Sequence, residues 1–98
     1  MYERIMLITW QKSIDLQSTQ DQFKMELDRK GQRYQMHLVW LKPADYKSAQ
    51  SWDFGCRVSC DSLENLHDFL QSFEFQGILD RFKDQIDCIK GWNFEVQH

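Results

Sequence analysis

Two side chains with acid–base or anion-binding chemistry, His37 and Arg57, fall within segments that predict strands. His37 stands in the apolar run YQMHLVWLK, where a group that titrates near neutral pH can serve as a general base. Arg57 stands in an alternating strand, where its guanidinium can hold a carboxylate or an oxyanion. The simpler interpretations are a hydrogen-bonded structural histidine, and an arginine paired with Asp53, with Glu95 or with a partner subunit.

The three cysteines, Cys56, Cys60 and Cys88, do not have the spacing of a metal site or a disulfide. At about 3.3 Å per residue, the Cα atoms of Cys56 and Cys60 would lie roughly 13 Å apart on one strand, too far to share a bond or an ion. We therefore expect packed, reduced thiols. The sequence has no phosphate-binding glycine loop, zinc motif or nucleophile elbow, so we expect no metal and no cofactor.

The first third of the chain predicts a strand and a helix. Residues Tyr2–Trp10 include the run Ile5 to Ile8, which is apolar on both faces, as in a strand that is covered on both sides. Ser18 and Thr19 can cap a helix that runs to Lys30, and Gly31 would supply a left-handed stop.

The clearest periodicity lies at residues 52–61, where apolar and polar residues alternate as in a two-faced strand. Residues 34–42 predict a strand before it, and residues 44–51 a polar loop. Asp61 is expected to cap the next helix, and Gly77 to separate that helix from a second helical piece. A final strand is predicted at residues 86–96. The inner face of the helical segment should contain Leu63, Leu66, Phe69, Leu70, Phe73, Ile78, Leu79 and Phe82.

This order, βαββαβ, predicts an α+β, ferredoxin-like protomer in a single domain over residues 1–98. Both helices of this topology pack on the same sheet face, so the other face needs a cover. Because the first strand is apolar on that side too, we expect a second copy packed sheet to sheet, in a homodimeric α+β barrel.

Composition narrows the possible partners. The 98 residues contain 12 Lys and Arg against 15 Asp and Glu, and no basic cluster, which disfavours nucleic acid. The longest wholly aliphatic or Met run has only four residues, whereas a membrane span needs about 20. The N-terminus shows no secretory signal, so we expect a cytoplasmic protein without a membrane partner.

The segments WDFGCRVSCDSLENLHDF (residues 52–69), FKDQI (82–86) and WNFEV (92–96) resemble the stress-responsive dimeric α/β-barrel family, abbreviated Dabb. The likeness covers the C-terminal half in sequence and the N-terminal half in layout. It implies a ferredoxin-like protomer that pairs through its sheet. The antibiotic-biosynthesis monooxygenase group shares this barrel and is an alternative.

The resemblance also suggests which chemistry is missing. Plant polyketide cyclases of the family have a Tyr, a His-Pro pair and a following His in the helical segment. Aligned on Asp-Ser-Leu-Glu, these positions fall on Phe69, on Ser72 and Phe73, and on Phe75. A phenyl ring cannot transfer a proton, so cyclase-type acid–base catalysis lacks its agents. The frequent His near the start of the first strand is also absent, with Arg4 in its neighbourhood.

We therefore expect a non-catalytic homodimer that binds a small apolar or amphipathic molecule between helices and sheet. The expected ligand site has four aromatic walls and two polar anchors: Phe69, Phe73, Phe75 and Trp92, with His37 and Arg57. One alternative is a cofactor-independent enzyme of monooxygenase, cyclase or isomerase type, with His37 as base and Arg57 at an oxyanion. Another is a purely structural or regulatory dimer, which would lack an apolar cavity.

Overall fold

Four antiparallel strands form one sheet in a computed structural model that describes residues 1–12 and 15–97. The elements are β1 (Tyr2–Trp10), α1 (Leu16–Arg33), β2 (His37–Leu41), α2 (Tyr46–Ser51), β3 (Phe54–Cys60), α3 (Leu63–Leu70), α4 (Phe73–Phe82) and β4 (Ile86–Glu95). The strand order is β2-β3-β1-β4, and all neighbours are antiparallel. This is the predicted ferredoxin-like α+β fold, with a short extra helix and a divided second helical segment. Among the described residues, no helix combines the length and apolar character that a membrane crossing requires.

The core lies between one sheet face and the helices α1, α3 and α4. Residues of one parity on β1 and β3 are buried there, as the alternation at residues 52–61 predicts. Trp10 and Phe54 stack with ring centroids 5.6 Å apart, and the Phe23 ring of α1 meets both edge-on. Aromatic pairs in this arrangement add stability beyond the area they bury.

Helix α1 begins and ends at other residues than the sequence predicted. Its N-cap is Asp15, whose side chain accepts from the Ser18 backbone N–H, so the predicted cap at Ser18 and Thr19 is wrong. Its stop is Gln35, which has a φ of 59°, with hydrogen bonds from Gln35 N to Gln32 O and from Met36 N to Gly31 O. These are the two bonds of a Schellman motif.

Gly31 does not end the helix, and its small size serves the packing of α1 instead. It is buried inside α1, and a Cβ at this position would lie 3.1 Å from Cδ1 of Leu38 on β2. The missing side chain therefore lets β2 pack closely against the helix.

The second helical segment is interrupted before Gly77. Ser62, and not Asp61, caps α3 by accepting from the Asn65 N–H. Ser72 then caps α4 in the same way, through the Phe75 N–H, so the break falls at residues 71–72 and Gly77 lies within a continuous helix. This new start turns Phe73 outward, where it is 95% exposed, and the expectation that it faces inward is wrong.

Two further boundaries differ. The loop predicted at residues 44–51 contains helix α2, which Asp45 caps through the Ser48 N–H. The strand predicted from residue 34 begins only at His37, because the end of α1 occupies the residues before it.

None of the helices α1, α3 and α4 covers the opposite face of the sheet. Strand register places three rows of residues across it: His37, Ser59, Glu3 and Phe94, then Val39, Arg57, Ile5 and Trp92, then Leu41, Gly55, Leu7 and Lys90. We call this surface the open face. Seven of these twelve residues are apolar or glycine and five are polar or charged, and Trp92 and Phe94 are 47% and 50% exposed on this face.

Candidate functional site

A cleft of about 260 Å³ lies between the helices α3 and α4 and the strands β1 and β4. We call it the Arg4 cleft; its lining residues are Arg4, His67, Leu70, Gln71, Phe75, Gln76, Leu79 and Asn93. Three of these are apolar, one is a permanent cation and none is a carboxylate. The lining therefore suits a small molecule that has an apolar part and a polar or anionic part.

Strand pairing places the polar residues on the sheet side of this cleft. Arg4 of β1 lies directly opposite Asn93 of β4, so the two side chains share the face that the helices cover. Arg4 Nη1 donates a hydrogen bond to Oδ1 of Asn93 at 3.0 Å. Burial lowers the pKa of Arg4 from its ordinary value, because a guanidinium loses hydration in this position. It remains protonated at every physiological pH.

Gly91 lies directly against the guanidinium of Arg4. A Cβ at Gly91 would lie 2.7 Å from Nη2, 2.8 Å from Cζ and 2.9 Å from Nε of Arg4. The guanidinium therefore covers the glycine, and any larger residue would push it away. Glu95 lies two residues beyond Asn93 on the same side of β4, and among the described residues it forms no ion pair with Arg4.

The helical side of the cleft supplies side-chain amides and an imidazole. Gln71 is the C-cap of α3, and Gln76 Nε2 donates to the Leu70 carbonyl at 2.7 Å, which fixes its amide at the rim. His67 is exposed in the last turn of α3. Among the described residues, no carboxylate lies within 4.0 Å of the His67 imidazole to orient it, since none forms a salt bridge with it.

The six residues expected to form one ligand site lie in three different places. Phe69 and Phe75 stack with centroids 5.2 Å apart and are buried, so they fill space that the prediction left for a ligand. Only Phe75 also lines the Arg4 cleft. Phe73 is on the outer surface of α4, beside a shallow hollow. The structure therefore does not bring the predicted wall residues together in one pocket.

The remaining three lie on the open face. His37, Arg57 and Trp92 all belong to its rows, and His37 is exposed. Arg57 Nε lies 3.0 Å from Oε2 of Glu3, so an ion pair forms with a neighbour in the sheet instead of with the Asp53 or Glu95 expected from sequence. His37 and Arg57 do share one face, as the enzyme alternative requires, but that face is turned away from the helices.

A larger hollow than the Arg4 cleft lies at the end of the sheet near α2. It has a volume of about 640 Å³, and Trp10, Asp53 and Asp87 are among its lining residues. Its two carboxylates already accept hydrogen bonds within the sheet end: Asp53 from the Trp10 N–H at 2.7 Å, and Asp87 from the Thr9 hydroxyl at 3.4 Å. The two carboxylates of this hollow therefore have structural roles.

The cysteines have the environment predicted for packed thiols. Burial raises the pKa of the Cys56 thiol to about 12, so its thiolate does not form near neutral pH. Cys60 and Cys88 are unpaired and half-buried. Across the described ranges, no group of three or more His, Cys, Asp or Glu side chains is placed to hold a metal ion.

Arg4 is the residue that sequence reasoning passed over. It was noted only as the neighbour of a missing histidine, and its partners Gly91 and Asn93 are nearly 90 residues away in the chain. The signal that could have identified them is the alternation of Gly91, Asn93 and Glu95 on one side of the last strand. That side becomes informative only once β4 is paired with β1.

Comparisons with known proteins support the fold. No family model matches the sequence, and no curated protein is similar to it in sequence. Solved structures do match. A Dabb family protein with a ferredoxin-like fold from Mesorhizobium loti has a TM-score of 0.77 and 11% identity, over 99% of this chain and 97% of that one. The resemblance to the Dabb family is thus confirmed at the level of the fold.

Two other structures extend the comparison. Hydroxynitrile lyase from Passiflora edulis has a TM-score of 0.82 and 13% identity, over 98% of this chain and 93% of that one. A dimeric ferredoxin-like protein of unknown function from Thermobifida fusca has a TM-score of 0.76 and 11% identity, over 97% of this chain and 90% of that one. At these identities the likeness concerns the fold alone. The shared fold is the ferredoxin-like α+β fold.

Proposed function

We propose that this chain, with its Dabb-type fold, forms a homodimer through the open face and binds a small amphipathic molecule in the Arg4 cleft, without catalysing a reaction on it. The observation that carries the proposal is the division of the sheet into two unlike faces. One is apolar and uncovered, and the other, beneath the helices, borders a cleft that contains a half-buried cation.

The composition of the open face supports the homodimer. Exposed Trp92 and Phe94 stand beside Ile5 and Leu7, and apolar patches of this kind on small domains commonly mark interfaces. Of the charged residues on the open face, Arg57 and Glu3 are paired with each other, and Lys90 lies at the end of its row, on the edge strand β4. A second copy would cover an identical set of residues, as a twofold interface requires. The Thermobifida fusca structure with this fold is described as dimeric, which agrees.

The Arg4 cleft supports a ligand. Leu70, Phe75 and Leu79 give it an apolar floor, while Arg4 and Asn93 give it polar donors. Its volume of about 260 Å³ suits a small molecule. The cleft lies on the helix side of the sheet, so it stays accessible when the open face is covered.

A role in binding without catalysis follows from the groups that line the cleft. Arg4 cannot act as a base, because a guanidinium does not lose its proton in proteins. Phe75 stands where the resemblance places a proton-handling His in plant cyclases. His67 is the one imidazole among the lining residues, and within the described chain it lacks the carboxylate partner that usually orients a catalytic imidazole.

The alternative is a cofactor-independent enzyme of monooxygenase, cyclase or isomerase type. One observation favours it: hydroxynitrile lyase, an enzyme, shares the fold with a TM-score of 0.82. This enzyme needs His37 and Arg57 free to contact a substrate, whereas the homodimer would cover both. The homodimer therefore requires the open face to be covered, whereas this enzyme requires it to be accessible.

The cytoplasm remains the expected location, in keeping with three unpaired cysteines.

Native mass spectrometry of the purified full chain tests the proposal. We expect twice the 11.9 kDa chain mass, with an additional small mass on each chain that organic extraction removes. A His67→Asn variant should keep this bound mass. A protein that carries no bound species and gives no chemical-shift change with any amphipathic probe would overturn the ligand proposal. Turnover of the bound molecule that His67→Asn abolishes would overturn the non-catalytic one.

A further inference from the structure

We infer that the ligand of the Arg4 cleft is a short amphipathic carboxylate, whose anionic group pairs with the guanidinium of Arg4. This inference rests on the proposed ligand function and adds the chemical class of the molecule. It is argued from the charge balance of the cleft and from the way in which Arg4 is held.

The charge of Arg4 has no counterpart within the part of the chain that the structure describes. Arg29, Arg57 and Arg81 each lie within 4.0 Å of a Glu side chain, and Arg33 is exposed at the end of α1. Arg4 forms no such pair there, and its one side-chain hydrogen bond is to the neutral amide of Asn93. A half-buried guanidinium without an anion is costly, because it has lost water without gaining a charged partner.

The geometry leaves most of the guanidinium available. It carries five N–H donors, of which one is used by Asn93. Gly91 allows it to lie against the sheet, where it forms part of the cleft wall without blocking the opening. A planar fork of this kind matches a carboxylate in a bidentate arrangement.

The rest of the lining favours the same ligand. No Asp or Glu lines the cleft, so no lining carboxylate repels an anion. Gln71 and Gln76 place amide groups at the rim, and Leu70, Phe75 and Leu79 offer a surface for a short apolar chain. A cleft of about 260 Å³ accommodates a short apolar chain beyond the carboxylate and excludes a long one.

The test is a pair of titrations of the ¹⁵N-labelled full chain with octanoate and with octanol at neutral pH. The two probes share an apolar chain and differ in charge. We expect octanoate to shift the Gly91 backbone amide and the side-chain amides of Asn93, Gln71 and Gln76. Its affinity should exceed that of octanol by about tenfold or more, since a hydrogen bond to a charged group is typically worth about that ratio.

Arg4→Gln should reduce octanoate affinity to that of octanol. Lys47→Gln is the matched control, because it removes one positive charge from the exposed helix α2 and should leave the preference unchanged. Arg4→Lys keeps the charge without the planar fork and should give an intermediate preference, which provides a second variant if Arg4→Gln does not fold. Equal affinity for both probes at the same cleft amides would overturn the carboxylate inference while supporting the ligand proposal. No shift at the cleft with either probe would overturn both.

Discussion

The guanidinium of Arg4 lies so close to Gly91 that a Cβ on this glycine would be 2.7 Å from Nη2. The two residues are on neighbouring strands, and Met6, two residues after Arg4, is the direct partner of Gly91. The glycine therefore determines where the only permanent charge of the cleft can lie. The account of the ligand site depends on this relationship.

Gly91→Ala should displace Arg4 with little loss of stability, because the end of a long side chain can move at small cost. The hydrogen bond from Arg4 to Asn93 should be lost, and the Asn93 side-chain amide resonances should shift in a ¹H–¹⁵N spectrum. Gly77→Ala is the control: no atom lies within 4 Å of its Cβ position in α4, and alanine there should add about 0.5–1 kcal/mol to the free energy of unfolding. Unchanged Asn93 resonances in Gly91→Ala would contradict the contact.

Gln35 should be a source of strain at the end of α1. Its φ of 59° is unfavourable for a residue with a Cβ, and a glycine at this position of a Schellman motif avoids the clash. Gln35→Gly should raise the free energy of unfolding by up to about 1 kcal/mol. Gln32→Gly, three residues earlier inside the helix, should lower it by about 1 kcal/mol. Chemical denaturation measures both. Destabilisation of equal size at the two positions would contradict the assignment of the stop to Gln35.

The same helix shows how far sequence can lead. The order of strands and helices along the chain, βαββαβ, and the alternation at residues 52–61 can both be read from sequence, and they predicted the ferredoxin-like fold correctly. The end of α1 was misplaced because Gly31 looked like a stop, whereas its real constraint is the approach of Leu38 from a strand that follows. Phe73 was misplaced for a related reason. Asp61, Ser62 and Ser72 are all acceptable N-cap residues. Which of them begins a helix depends on packing that the sequence does not show.

The candidate site could be predicted only in part. A ligand between helices and sheet was expected, and the Arg4 cleft lies there. Its polar anchor was expected from His37 or Arg57, because both stand in conspicuous strands. Which side chains can line the cleft depends on which alternate residues of each strand face the helices. This alternation puts Arg4 on the helix side of the sheet and His37 and Arg57 on the open face.

Because the Cys56 thiol is buried, the free energy of unfolding should fall at high pH. The thiol's folded-state pKa of about 12 lies above the ordinary value of 9.0, so the unfolded chain releases this proton first as pH rises. The stabilising contribution is therefore complete below pH 9 and is lost between about pH 9 and 12. Within this window the wild type should lose about 1.4 kcal/mol per pH unit more than Cys56→Ala. Denaturation at a series of pH values measures the slopes, and parallel curves would contradict the burial of the thiol. Cys60→Ala is the control and should follow the wild type.

The most direct test of the account is the mass of the protein by light scattering at micromolar concentration, for the wild type and two variants. Trp92→Asp places a charge on the open face, and Phe73→Asp places the same charge at an aromatic that is even more exposed but lies on the helical side. The account predicts about twice the 11.9 kDa chain mass for the wild type and for Phe73→Asp, and a single chain for Trp92→Asp. A wild type that scatters as one chain, or a Trp92→Asp protein that remains a dimer, would contradict it.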